Sequence, residues 1–198
     1  MTNKKTILKL TELALLTAIV IVLQLLGNFI HIGPTSISLV LIPIVLGAIV
    51  ISPLGGAFLG LVFGLIVIWG GVSGTDPFTN ILFAAHPVFT TLICLGKGAL
   101  AGLGAGYVYK LLKGKNEFLA CVLAAASAPV INTGLFILGG LFLVSDTLNA
   151  NFVGESTLVY FLIIGCAGLN FIAEFIVNII VSPAIHTTVN AVKKRIQN

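Results

Sequence analysis

The sequence predicts an all-α polytopic membrane protein, a bundle of six transmembrane helices built as a single integral-membrane domain over residues 1–198. Three observations carry that prediction. The chain is 58% hydrophobic and 8% charged, with a mean hydropathy of +1.18. A soluble domain carries about 25% charged residues. So little charge cannot cover a surface in water, which excludes both a soluble globule and a disordered chain. The apolar residues gather into six runs, and the basic residues gather on one side of them. About 20 apolar residues cross roughly 30 Å of hydrocarbon, so 198 residues leave no room for an attached soluble domain.

Span 1 is expected at about Leu8–Leu26. Lys9 and Glu12 lie inside this run and no small-residue cleavage site follows it, so a cleaved signal peptide is not expected. Span 2, about Ile37–Ile51, is short and contains Pro43. Span 3, about Leu54–Trp69, follows after only Ser52-Pro53, so the two form a tight helical hairpin. The segment Gly70–Pro77 is rich in Gly, Ser, Thr, Asp and Pro and reads as a loop. Span 4 is about Ala84–Tyr109, span 5 about Phe118–Val144 and span 6 about Leu158–Ile185, with a longer polar loop at Ser145–Thr157.

Lys4, Lys5 and Lys9 precede or open span 1, Lys110, Lys113 and Lys115 separate spans 4 and 5, and Lys193, Lys194 and Arg195 follow span 6. The connections between spans 1 and 2, 3 and 4, and 5 and 6 contain no Lys or Arg, and the tenth basic residue, Lys97, lies within span 4. By the positive-inside rule both termini are cytoplasmic. The net charge of +4 is thereby explained by topology and an anionic inner leaflet, so no nucleic-acid partner is expected. Trp69, Tyr107, Tyr109 and Tyr160 fall near span ends, as interfacial aromatics do. Cys94, Cys121 and Cys166 sit in apolar runs at no metal-binding spacing and read as small core residues.

Small residues recur at every fourth position. Ala14 and Ala18 do so in span 1, Gly56, Gly60 and Gly64 in span 3, Gly98, Gly102 and Gly106 in span 4, and Ala120, Ala124 and Ala128 in span 5. Such stripes let helix backbones approach closely in lipid, and internal packing is the expected use of those in spans 3 to 5.

Polar groups in hydrocarbon are costly, and each needs a partner or a purpose. Lys97 lies near the middle of span 4 and Glu174 at similar depth in span 6. Asn170, Glu174 and Asn178 are four apart and share one helix face. Asn132 is mid-span 5, Asn80 and His86 lie near the lysine-free end of span 4, and Asn28 and His31 near that end of span 1. Two readings stand for Lys97 and Glu174: a buried ion pair fixing two helices in register, or contact with a polar solute. For the asparagines the choice is between interhelical hydrogen bonds and solute contact. The clustering favours one polar patch between spans 4, 5 and 6, open toward the outside, with Asn80, His86, Lys97, Asn132, Asn170 and Glu174 as candidate substrate-binding residues.

Several functions are disfavoured. The chain has no GxxxxGK[ST], no GxSxG and no HExxH, and Gly102-x-Gly104-x-Gly106 lies within a span rather than after a strand. Asp76 and Asp146, the only aspartates, are both in outer loops. No nucleophile–base pair can be assembled, so an enzyme is not expected, nor a metal site, nor a cofactor. The halves do not read as an inverted repeat, which argues against an autonomous secondary transporter. A channel would need polarity through the full depth, whereas the inner halves of spans 4 and 5 are glycine and alanine.

The six short spans, Ala14-x-x-x-Ala18, the stretch Leu39-Val-Leu-Ile-Pro-Ile-Val-Leu-Gly47, the stretch Ser52-Pro-Leu-Gly-Gly-Ala-Phe-Leu-Gly60 and Lys97-Gly-Ala-Leu-Ala-Gly102 resemble the substrate-binding S component of energy-coupling factor (ECF) vitamin transporters. The resemblance covers nearly the whole chain. It implies a prokaryotic plasma-membrane subunit that binds a vitamin in an outward cavity formed by spans 4 to 6. It implies docking on a transmembrane T component, which works with two cytoplasmic ATPase subunits, through Ala14 and Ala18. Lys97 offers a cation to a carboxylate, which favours pantothenate, with pyridoxine, hydroxymethylpyrimidine or riboflavin types as alternatives. The rival from another class is an accessory membrane subunit that binds no solute. It would have no use for a polar patch open to the outside.

Overall fold

The computed structural model describes residues 2–27, 31–32, 35–36 and 39–197. Asn28 lies outside the described residues. Helix α1 (Thr2–Gly27) leads to a pair of two-residue antiparallel strands, β1 (His31–Ile32) and β2 (Thr35–Ser36). Then come α2 (Leu41–Val50), α3 (Pro53–Ser73), α4 (Pro77–Ala85), α5 (Pro87–Leu112) and α6 (Glu117–Leu143). The connection after α6 holds α7 (Ser145–Leu148) and a π-helical turn, Asn149–Val153. The last helical run opens as α8 (Leu158–Tyr160), is π-helical over Phe161–Gly168, and continues as α9 (Leu169–Gln197).

Among the described residues, five helical runs are long and apolar enough to cross a membrane: Thr6–Gly27, Pro53–Ser73, Pro87–Leu112, Glu117–Leu143 and Leu158–Val192. The sixth expected span is α2, which has only 10 residues. At 1.5 Å per residue it covers about 15 Å, half of the hydrocarbon thickness. Pro53 and the Ser52 side chain set its end. The Ser52 Oγ accepts from the Gly55 N–H at 3.0 Å, and Pro53 opens α3 with no amide hydrogen to satisfy. The segment Gly70–Pro77 is not a loop throughout. α3 continues to Ser73, and Asp76 caps α4, its side chain accepting the Thr79 N–H at 3.3 Å and the Thr79 hydroxyl at 2.6 Å. The Asp-Pro pair is a helix start signal embedded in a turn-like composition.

The glycine stripes of α3 and α5 face each other. A Cβ built on Gly60 would collide with the Gly98 carbonyl, one on Gly102 with the Gly56 carbonyl, and one on Gly64 would stand 2.5 Å from the Cys94 carbonyl. The two backbones are therefore in direct contact, antiparallel. The α6 alanines Ala120, Ala124 and Ala128 are fully buried and pack with Val45, Ala105, Tyr109, Ile185 and Val189. Ala14 and Ala18 are exposed on α1, beside Leu15, Ile19 and Val22. Trp69, Tyr107 and Tyr160 are exposed near helix ends. Tyr109 differs from the interfacial expectation: it is buried, and its hydroxyl donates to Glu117 Oε1 at 2.7 Å, closing the α5–α6 corner. Cys94, Cys121 and Cys166 are buried and not disulfide-bonded.

Candidate functional site

The antiparallel α3–α5 contact runs from Gly106 to Cys94 and then opens toward the lysine-free end. In α3 the side chains that follow are Phe63 and Val67, and in α5 the face continues as Thr90, Cys94 and Lys97. These three α5 residues are spaced i, i+4 and i+7, so they lie on one face. A cavity forms here. Its wall comprises Phe63 and Val67 from α3, Asp76 and Thr79 at the α4 start, Thr90 and Lys97 from α5, Phe136 from α6, and further side chains of α1, α4, α6 and α7.

A second cavity adjoins it between α5, α6 and the last helix, lined by Lys97, Asn132, Thr133, Phe136, Cys166, Ala167 and Asn170. Lys97 and Phe136 belong to both. The Lys97 Nζ stands 5.7 Å from the Phe63 ring centroid and 5.3 Å from that of Phe136. A half-buried cation near a ring face gains about 0.5–2 kcal/mol. The rings hold the charge at the junction without neutralising it. The π-helical stretch Phe161–Gly168 borders the second cavity, and its Cys166 and Ala167 form part of the wall. Such stretches have wide turns and are rare at this length.

The hydroxyl of Thr90, 2% exposed, and the amide oxygen of Asn132, 7% exposed, have no hydrogen-bond partner among the described residues. An unsatisfied buried polar atom costs about 1–3 kcal/mol. Both belong to side chains that line the cavities.

The candidate residues divide as follows. Lys97, Asn132 and Asn170 line one cavity together. Glu174, four residues past Asn170, is buried on the same face, and its backbone carbonyl accepts from Asn178 Nδ2 at 2.8 Å. Among the described residues, Glu174 lines neither cavity. Asn80 does not line them either. Its Nδ2 donates to the Gly71 carbonyl at 2.7 Å, tying α4 to the end of α3. His86 sits at the corner between α4 and α5, its ring 6.1 Å from that of Phe89. The α4 helix, between the expected loop Gly70–Pro77 and the expected start of span 4, places these two residues at the corner. Sequence reasoning missed Asp76, Thr79, Thr90, Phe63 and Phe136. Thr90 was accessible, since it lies seven residues before Lys97 and hence on its face.

A short apolar helical bundle, with a cavity toward one end whose mainly apolar wall carries a few polar groups, defines a polytopic membrane protein. The chain matches the family described as "ECF transporter, substrate-specific component" over residues 8–186, and it belongs to that family. One relative is the pantothenic acid transporter PanT of Lactococcus lactis subsp. cremoris (strain MG1363), 31% identical over 185 residues, which are 87% of this chain and 89% of that protein.

Proposed function

We propose that residues 1–198 act as one membrane-embedded binding unit that captures pantothenate from outside the cell, without ATP. The observation that carries this reading is the Lys97 cation at the junction of two cavities, in the same lining as the unpartnered Asn132 oxygen. A carboxylate placed at that junction meets the cation in a half-buried site, where a charge-assisted hydrogen bond contributes about 1.5–3 kcal/mol. Asn132, past Lys97 in the second cavity, meets the same carboxylate end, where its side-chain amide can donate a hydrogen bond. The similarity to PanT supports the same solute. Isothermal titration of the purified protein with pantothenate and with pyridoxine tests the reading. Heat with pantothenate and none with pyridoxine is expected, and a folded protein silent toward pantothenate would overturn it.

The role is binding rather than catalysis, and transport then needs a T component and two cytoplasmic ATPase subunits. The exposed Ala14 and Ala18 form the docking face on α1, since small side chains allow close, reversible helix contact in lipid. Replacing either by Trp should abolish uptake while leaving the titration unchanged; normal uptake by both variants would remove α1 from the docking role. Both termini are cytoplasmic on this reading, supported by the grouping of Lys110, Lys113 and Lys115 with the terminal basic residues. An impermeant thiol reagent on intact cells should label a cysteine placed at Ser73 and spare one placed at Gly114, and the reverse pattern would invert the orientation.

A further inference from the structure

We infer that the cavity fixes the direction of its solute: the carboxylate lies at Lys97, the hydroxyl-bearing end lies at Thr90 and Asp76, and a phosphate ester of that hydroxyl is excluded. The inference rests on the reading of pantothenate as the solute. Its observations are separate from those at Lys97. The Thr90 hydroxyl is buried and has no partner. Asp76 lines the same cavity. Its two oxygens accept from Thr79, one from the N–H and one from the hydroxyl. A carboxylate has about four acceptor positions, so capacity remains for a donor in the cavity. The Asp76 N–H donates to the Gly70 carbonyl at 3.1 Å, which anchors the residue at the end of α3.

The opposite charges of Lys97 and Asp76 in one wall give the cavity a direction. A monoanion enters with its charge at Lys97, because at Asp76 it would meet a like charge. The far end must bring a hydrogen-bond donor for Asp76 and can serve Thr90 as donor or acceptor. Thr90 and Lys97 are seven residues apart, about 10 Å along the helix axis at their Cα atoms, and the flexible Lys97 side chain can shorten the span between its Nζ and the Thr90 hydroxyl. Eight bonds separate the primary hydroxyl oxygen of pantothenate from its carboxylate carbon, about 10 Å when extended at the advance per bond of an extended chain. Phosphorylating that hydroxyl replaces a donor with nearly two negative charges and sets them against Asp76. Two like charges about 4 Å apart at a partly solvated site repel by several kcal/mol.

The test is a competition titration with pantothenate and its primary-hydroxyl phosphate ester on the wild type, on Asp76→Asn and on Thr90→Val. Asn retains the helix cap, so the first variant keeps the α4 start. The wild type should bind the ester about 100-fold or more weakly than pantothenate. Asp76→Asn should close that gap by about tenfold or more, with a smaller loss for pantothenate itself. Thr90→Val, of nearly the same shape, should weaken pantothenate by about three- to tenfold. Pantothenate binding with an ester gap that is absent, or unchanged in Asp76→Asn, would overturn the direction while sparing the solute reading. Silence of the wild type toward both ligands would overturn both.

Discussion

The two halves of α5 show what a small membrane bundle does with its two kinds of unusual residue. Toward the basic end, Gly98, Gly102 and Gly106 press against α3 so closely that no side chain fits between the backbones. Toward the lysine-free end the same helix stands off, and Thr90 and Lys97 face a cavity instead of a neighbour. In the first half the glycine backbone lies directly against α3, and Tyr109 ties the end of the helix to Glu117. The second half is incomplete: among the described residues, Lys97 stands against two rings and the Thr90 hydroxyl has no partner. In lipid, helix association has little hydrophobic drive, so close packing supplies the cohesion. The packed half can therefore hold the open half in shape, and the open half carries polar groups that cost stability until a solute arrives.

The contrast breaks most completely at Gly60. Gly60→Val places a branched side chain against the Gly98 backbone, which cannot yield as a flexible side chain would. Overpacking costs about 1–3 kcal/mol even where neighbours can adjust. Loss of monodisperse protein on size exclusion is expected, and a normal profile with normal melting would contradict the backbone contact. A smaller and more informative effect is expected at Asn132. Asn132→Leu removes an unsatisfied buried oxygen, so the solute-free protein should melt at a higher temperature. The same change should weaken pantothenate by about tenfold, since one hydrogen bond to solute is lost. Thermal melting and titration of one preparation give both signs. A fall in melting temperature would show that Asn132 serves packing instead.

Much of the packed half was legible in the sequence, because spacing at every fourth position is a property of the chain alone. The glycine stripes of α3 and α5, the alanine stripe of α6 and the exposed pair Ala14 and Ala18 are all read from periodicity. The open half was only partly legible. Lys97, Asn132 and Asn170 stood out as polar residues in apolar runs, and the fold brings them to one cavity. Asp76 was hidden in a stretch whose composition reads as a loop, although Asp-Pro marks the α4 cap. That helix also carries Asn80 and His86 to a corner, which no periodicity within span 4 reveals. The shortness of α2 follows from a proline break whose consequence depends on where α3 packs. Tyr109 was misplaced because its two-residue offset from Tyr107 puts it on the buried side.

The account turns on Lys97 as the cation that receives the solute carboxylate. The measurement that tests it most directly is titration of wild type and Lys97→Gln with pantothenate and with pantothenol, in which a neutral CH2OH group replaces the carboxylate. Gln keeps most of the length and removes the charge. The account predicts that Lys97→Gln weakens pantothenate by roughly 10- to 150-fold, the equivalent of about 1.5–3 kcal/mol, while pantothenol is nearly unaffected. Equal losses for both ligands, or no loss for either in a folded variant, would contradict it.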